Sequence, residues 1–224
     1  VVCVNAGNYL GRGVEYVRVL NDMVRRNLPE GYPGKFIVFT DTPGDYGPEI
    51  EVRDLPVPGL EGWWNKLALF KHGVFEEGER VLFMDLDTLI TGRLDAIADY
   101  AGDFAILSDF YRYYGLQSSI MAWRVTDRTV DIWEYWVRAG YPEVAGGDQS
   151  WIETAYIRKP DIWQKLLPDA FVSYKVSGGF APDKAAIVVF HGAPRPHEVL
   201  TGWVPAIWKE GGITRVELDA VCNT

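Results

Sequence analysis

The chain has 224 residues, enough for one domain with a full hydrophobic core. Apolar residues make up 48% and charged residues 24%, a globular balance, and no apolar run approaches the ~18 residues a membrane-spanning helix needs. A net charge of −9, with no stripe of Lys and Arg, argues against a nucleic-acid partner, because that binding needs local positive charge to displace counterions.

The opening VVCVNAG (1–7) is a short apolar run ending in small and polar residues, as expected of a central parallel strand, and no secretory leader is visible. Val14, Val17, Leu20, Val24 and Leu28 then recur at helical spacing until Pro29 and Gly31 end the helix. KFIVFT (35–40) is a second strand stopped by the turn-rich DTPGDYG, and EIEVRDL (49–55) a third, more exposed one. A second helix is expected over Trp63 to Phe75, separated by Gly78 from the strand RVLFMD (80–85).

Further on, FAILSD (104–109) and SSIMAW (118–123) read as strands joined by an aromatic loop. Helices are expected from about Asp127 to Arg138 and from Asp148 to about Arg158, and AAIVVFH (185–191) is a buried strand ending in histidine. This alternation predicts an open, doubly wound α/β sheet, mainly parallel, whose ligands bind at the carboxyl ends of the strands. No repeat or linker interrupts it, so one continuous domain is expected, 1–224. Cys3 and Cys222 lack metal-type spacing and read as unpaired thiols in a reducing cytosol, hence a cytoplasmic protein.

The strongest chemical signal is VLFMDLDTL. Four apolar residues deliver Asp85 and Asp87 at i and i+2, on one side of an extended chain, while Leu86 points back toward the core. Two carboxylates held together at a strand end call for a cation. The plainer reading is a solvated turn, where Asp is common. A second signal is VVFHGAPRPH: an apolar strand ends in His191, Gly192 lets backbone approach a phosphate, and two prolines stiffen the loop presenting Arg195. A lone strand-end histidine is more often structural; beside two carboxylates it completes a mixed N/O set suited to Mn²⁺ as well as Mg²⁺.

The Asp-Leu-Asp after an apolar run, Gly-Asp-Gln at 147–149 and the late His-Gly-x-Pro-Arg-Pro resemble glycosyltransferase family 8 and related glycogenin-like GT-A enzymes. The resemblance implies a GT-A fold, with about 1–100 as the nucleotide-binding half and about 101–224 as the donor-sugar and acceptor half. It implies a metal-dependent, retaining transfer of a sugar from a nucleoside-diphosphate sugar, a UDP-sugar first among them, to an acceptor hydroxyl. The metal ligands implied are Asp85, Asp87 and His191. The donor-binding set implied is Ala6, Gly7, Asn8 and Tyr9 around the nucleoside, Asp41 near the base, and Lys66, Asp85, Leu86, Asp87, Gly192 and Arg195. The family's usual late motif has Lys at a longer spacing (His-x-x-Gly-x-x-Lys-Pro), where this chain has Arg.

Asp148 and Gln149 are the implied catalytic pair, the acid on donor-sugar hydroxyls and the amide near the reacting carbon. Asp148 is equally well placed as a helix N-cap. Trp63 and Trp64 read as core or rim residues, and the loop Asp109 to Gln117, with Tyr111, Tyr113 and Tyr114, as a candidate to line the sugar or acceptor site. Two alternatives stay open. FMDLDTL also fits the first motif of haloacid-dehalogenase-type phosphatases, with Asp85 as nucleophile, although some 80 residues precede it and the later acidic pair is missing. The chain could also be a nucleotide-sugar-binding module without transfer activity.

Overall fold

The central strands form where apolar runs lack alternation, because both faces of the sheet are covered. In the structure, a computed structural model describing residues 1–112, 114–180 and 183–222 without the side chains of Val216, Val221 and Cys222, these runs assemble one large sheet. Tyr113 and the Cys222 thiol therefore lie outside the described residues. The strands are β1 (Val2–Asn5), β2 (Phe36–Thr40), β3 (Ile50–Asp54), β4 (Arg80–Met84), β5 (Thr88–Ile90), β6 (Phe104–Ser108), β7 (Leu116–Arg124), β8 (Asp161–Ile162), β9 (Phe171–Ser173) and β10 (Ile187–Val189). Seven of them make the main sheet in the order β3-β2-β1-β4-β7-β6-β8. All neighbours in it are parallel except β7, which runs antiparallel to both β4 and β6. This is the mixed, mainly parallel α/β sheet that the sequence predicts.

Helix α1 (Gly13–Asn27) covers one face. Tyr16, Val17, Leu20, Met23 and Val24 turn inward, each burial being worth on the order of 2 kcal/mol, while Arg25 and Arg26 favour the negative end of the helix dipole. The short α2 (Asp95–Ala98) follows β5. The opposite face is covered by α3 (Asp127–Arg138), α4 (Gly147–Ala155) and a 3₁₀ helix over Gly62–Phe70, with Trp64 stacked on Trp136 at 5.3 Å. The remaining short α-helices are α5 (Trp163–Leu166), α6 (Val204–Ile207) and α7 (Arg215–Cys222), with 3₁₀ turns at Tyr9–Gly11 and Pro196–Glu198. No described helix is long and apolar enough to cross a membrane.

Three departures from expectation have local causes. The helix expected over 63–75 is 3₁₀ and ends at Phe70, because Lys71 is extended and Gly73 adopts a left-handed φ of 84°. The helix expected to reach Arg158 stops at Ala155, and Tyr156 leaves helical geometry. The strand carrying His191 does not join the main sheet. β10 pairs antiparallel with β5 and parallel with β9 in a separate three-stranded sheet, which packs with α1 into one core. Asp85 and Asp87 lie in the turn from β4 to β5, so this turn links the two sheets.

Candidate active site

The carboxyl ends of β1 and β4 and the amino end of antiparallel β7 meet on one rim of the main sheet. There they wall a cleft of about 760 Å³. Ala6, Tyr9, Lys66, Asp85, Leu86, Asp87, Asp148, Gln149, His191 and Arg195, all predicted from sequence, line it. A larger cavity, about 1230 Å³, opens at the opposite rim around Lys35, Arg53 and Arg80 and contains none of the predicted residues. The predicted residues gather in the smaller cleft.

Charge organises its floor. The Lys66 ammonium sits 2.9 Å from Asp85 Oδ1 and 3.5 Å from Asp148 Oδ2, and donates to Ser118 Oγ at 3.3 Å. Burial works against its charge, but Asp148 and Asp85 outweigh that and hold its pKa above the ordinary lysine value. The Asp148 carboxyl is raised, chiefly by burial, against the pull of Lys66. Sharing between two acids raises Lys66, whereas burial of Asp148 outweighs the pull of that ammonium. Asp148 Oδ2 is buried and makes no hydrogen bond, with only the Lys66 ammonium 3.5 Å away, so it keeps capacity to accept from an incoming hydroxyl.

Asp87 accepts from the Tyr9 hydroxyl at 3.0 Å and pairs with Arg195 through the same Oδ2. Burial and the neighbouring Asp85 push its pKa up to about 6. The Arg195 guanidinium lies 5.6 Å from the Tyr9 ring centre, and the Glu198 carboxylate accepts the Arg195 backbone N–H at 2.6 Å, which fixes the loop. Leu86 is buried, as the alternation of the motif requires. His191 Nε2 is 2.6 Å from Ser173 Oγ, and its ring stacks on Phe110 at 6.0 Å with Tyr111 edge-on. Burial first and Lys175 second lower its pKa, which keeps the imidazole neutral near pH 7.

Among the described residues no three His, Cys, Asp or Glu side chains stand together as a metal-ligand group. Lys66 and Arg195 occupy the two carboxylates and Ser173 the imidazole. The residue types and the charge balance nonetheless fit a divalent cation. Three carboxylates face two cations here, so the cleft is one negative charge over before any anionic ligand enters. A bound ion would have to take Asp85 and Asp87 over from Lys66 and Arg195.

Four predicted residues do not line the cleft. Gly7 and Asn8 take left-handed φ of 64° and 51°, the Asp41 carboxylate accepts the Gly7 N–H at 2.8 Å, and the Asn8 amide oxygen accepts the Gly13 N–H at 2.9 Å. Asp41 and Asn8 thus shape the β1 loop and the start of α1. Gly192 (φ 77°) lies in the turn after His191. Of the other lining residues, Ser118 and Ser119 went unread, whereas Trp63 falls at the rim as expected. Gln117, Ser118 and Ser119 arrive because β7 is antiparallel, and Trp63, 57% exposed, forms a rim against Gly147. Asp148 lies in the first turn of α4, but Gly146 is the N-cap.

No family model matches the chain, and no curated protein does. Solved structures do. The chain superposes on GlyE, a glycosyltransferase in Streptococcus pneumoniae TIGR4, with a TM-score of 0.68 at 12% identity, covering 97% of this chain and 62% of that one. The bifunctional glycosyltransferase WbbM matches with a TM-score of 0.64 at 12% identity, over 93% of this chain and 51% of that one. The galactosyltransferase LgtC, in complex with donor and acceptor sugar analogues, matches with a TM-score of 0.55 at 14% identity, over 92% and 94%. The chain therefore has the fold of these glycosyltransferases, while spanning about half of WbbM and under two thirds of GlyE.

Proposed function

We propose that the chain transfers a sugar from a nucleoside-diphosphate sugar, a UDP-sugar first among candidates, to an acceptor hydroxyl with retention of configuration. One observation carries this reading. An acid pair, two fixed cations, a buried acid with one oxygen that makes no hydrogen bond and an amide line a single cleft, at the sheet rim where such folds bind ligands. Arg195 offers a rigid fork of donors to the diphosphate. Lys66 holds Asp85 and Asp148 in place, and Asp148 Oδ2 accepts a hydroxyl of the donor sugar. Gln149 steadies positive charge at the reacting carbon as a weak, neutral partner. Asp85, Asp87 and His191 are the residues that would hold Mn²⁺ or Mg²⁺, and such an ion supplies Lewis-acid stabilisation to the departing diphosphate.

The phosphatase alternative needs a further acidic pair beside Asp85 and Asp87; Asp148 is the one further carboxylate among the described cleft residues. A thermal-shift screen of nucleotide sugars with and without Mn²⁺ tests the donor reading, since a ligand selective for the native state raises its melting temperature. Stabilisation by a nucleotide sugar and release of its sugar support the reading. Stabilisation without any sugar release points to a binding module, and phosphate-monoester hydrolysis without a nucleotide-sugar response points to the phosphatase.

A further inference from the structure

The two cations on the cleft floor are already neutralised, Lys66 by Asp85 and Asp148 and Arg195 by Asp87. A third is not. Lys175 is exposed, and its side chain makes no ion pair or hydrogen bond among the described residues. The fold sets it beside the His191 loop. β9 and β10 run parallel with Ser173 opposite Val189, the Tyr174 N–H donates to Val189 O at 3.1 Å, and the Tyr174 ring stacks on Phe190 at 4.3 Å. The two chains therefore leave their sheet side by side. The Lys175 ammonium comes to 3.0 Å from the position a Cβ on Gly192 would take, so glycine there leaves this approach open.

We propose that Lys175 is a phosphate-binding residue that meets the diphosphate of the nucleotide donor across Gly192. The inference rests on the nucleotide-sugar reading above. Arg195 divides its donors between Asp87 and a phosphate, whereas Lys175 has no carboxylate to leave and turns its whole charge, screened only by solvent, to the phosphate. Its compact ammonium on a flexible stem suits a diphosphate whose position shifts between substrate and product.

The test is calorimetric titration of wild type, Lys175→Met and Lys175→Arg in Mn²⁺ buffer with UDP, GDP and ADP and with the matching nucleosides. Lys175→Met should weaken the tightest diphosphate about tenfold, leave its nucleoside within about twofold and flatten the salt dependence, while Lys175→Arg restores most of the loss. Unchanged diphosphate affinity in Lys175→Met overturns the proposal, as does equal weakening of diphosphate and nucleoside. If wild type binds none of the diphosphates, the donor reading falls and this inference with it. Binding by wild type without discrimination in the variant removes this inference alone.

Discussion

Replacing Lys66 by methionine removes the one ammonium that Asp85 and Asp148 share. The side chain is 13% exposed and its partners 23% and 7%, so solvent screens the pairs only weakly. Breaking a buried pair from one side costs about 3–5 kcal/mol, because a charge is left without compensation. Asp148, whose pKa is already raised, relieves part of this by taking a proton, which points to the lower end, about 3 kcal/mol. For a chain of this size that is a fall in melting temperature of roughly 6–12 °C. Urea unfolding monitored by near-ultraviolet circular dichroism reads the change directly. Lys66→Met/Asp148→Asn should recover at least about 1 kcal/mol relative to the single variant, because one of the stranded charges is gone. A loss below about 1 kcal/mol in Lys66→Met, or a double variant no better than the single, refutes the idea of one cation serving two acids.

Two other outcomes follow from the same geometry. Asp148→Asn should lower turnover roughly 10²-fold while changing UDP affinity by less than about threefold, since the role proposed for Asp148 is to hold the donor sugar and not the nucleotide; steady-state rates beside calorimetric affinities check this, and a collapse of affinity with turnover intact contradicts the role. Gly147→Ala places a Cβ 2.7 Å from the Trp63 indole nitrogen on a backbone with φ of 70°, so it should cost about 1–3 kcal/mol in urea unfolding and displace Trp63 from the rim. Stability equal to wild type would show that the rim yields freely.

Elements whose side chains repeat with a clear period were legible. β1, β2 and β4 stood out as unbroken apolar runs, α1 and α3 as stripes of buried residues, and Leu86 as the inward member of its motif. β5 and β9 were not, since three residues are too few to display a period and their partner β10 is remote in sequence. Residues 62–70 are as apolar as an α-helix, yet Asn65 turns its amide onto the Leu60 and Gly62 carbonyls, and the segment is wound as 3₁₀. Most candidate residues on the cleft were found because polar groups after a strand land on one rim. Ser118 was missed because only the antiparallel direction of β7 brings its leading end there. Which acid pairs with which base is a matter of loop geometry, so Lys66 between Asp85 and Asp148, and Tyr9 on Asp87, belong to the fold alone.

The central claim is that Asp87 belongs to a site that splits a nucleotide sugar. The most direct measurement is release of nucleoside diphosphate from a panel of nucleotide sugars by wild type and by Asp87→Ala, each with Mn²⁺ and with chelator. The account predicts release by wild type that Mn²⁺ supports and chelator suppresses, and a loss of at least about 10²-fold in Asp87→Ala, whose fold persists by circular dichroism. Release that is equally fast in Asp87→Ala, or no release from any donor by folded wild type, contradicts it.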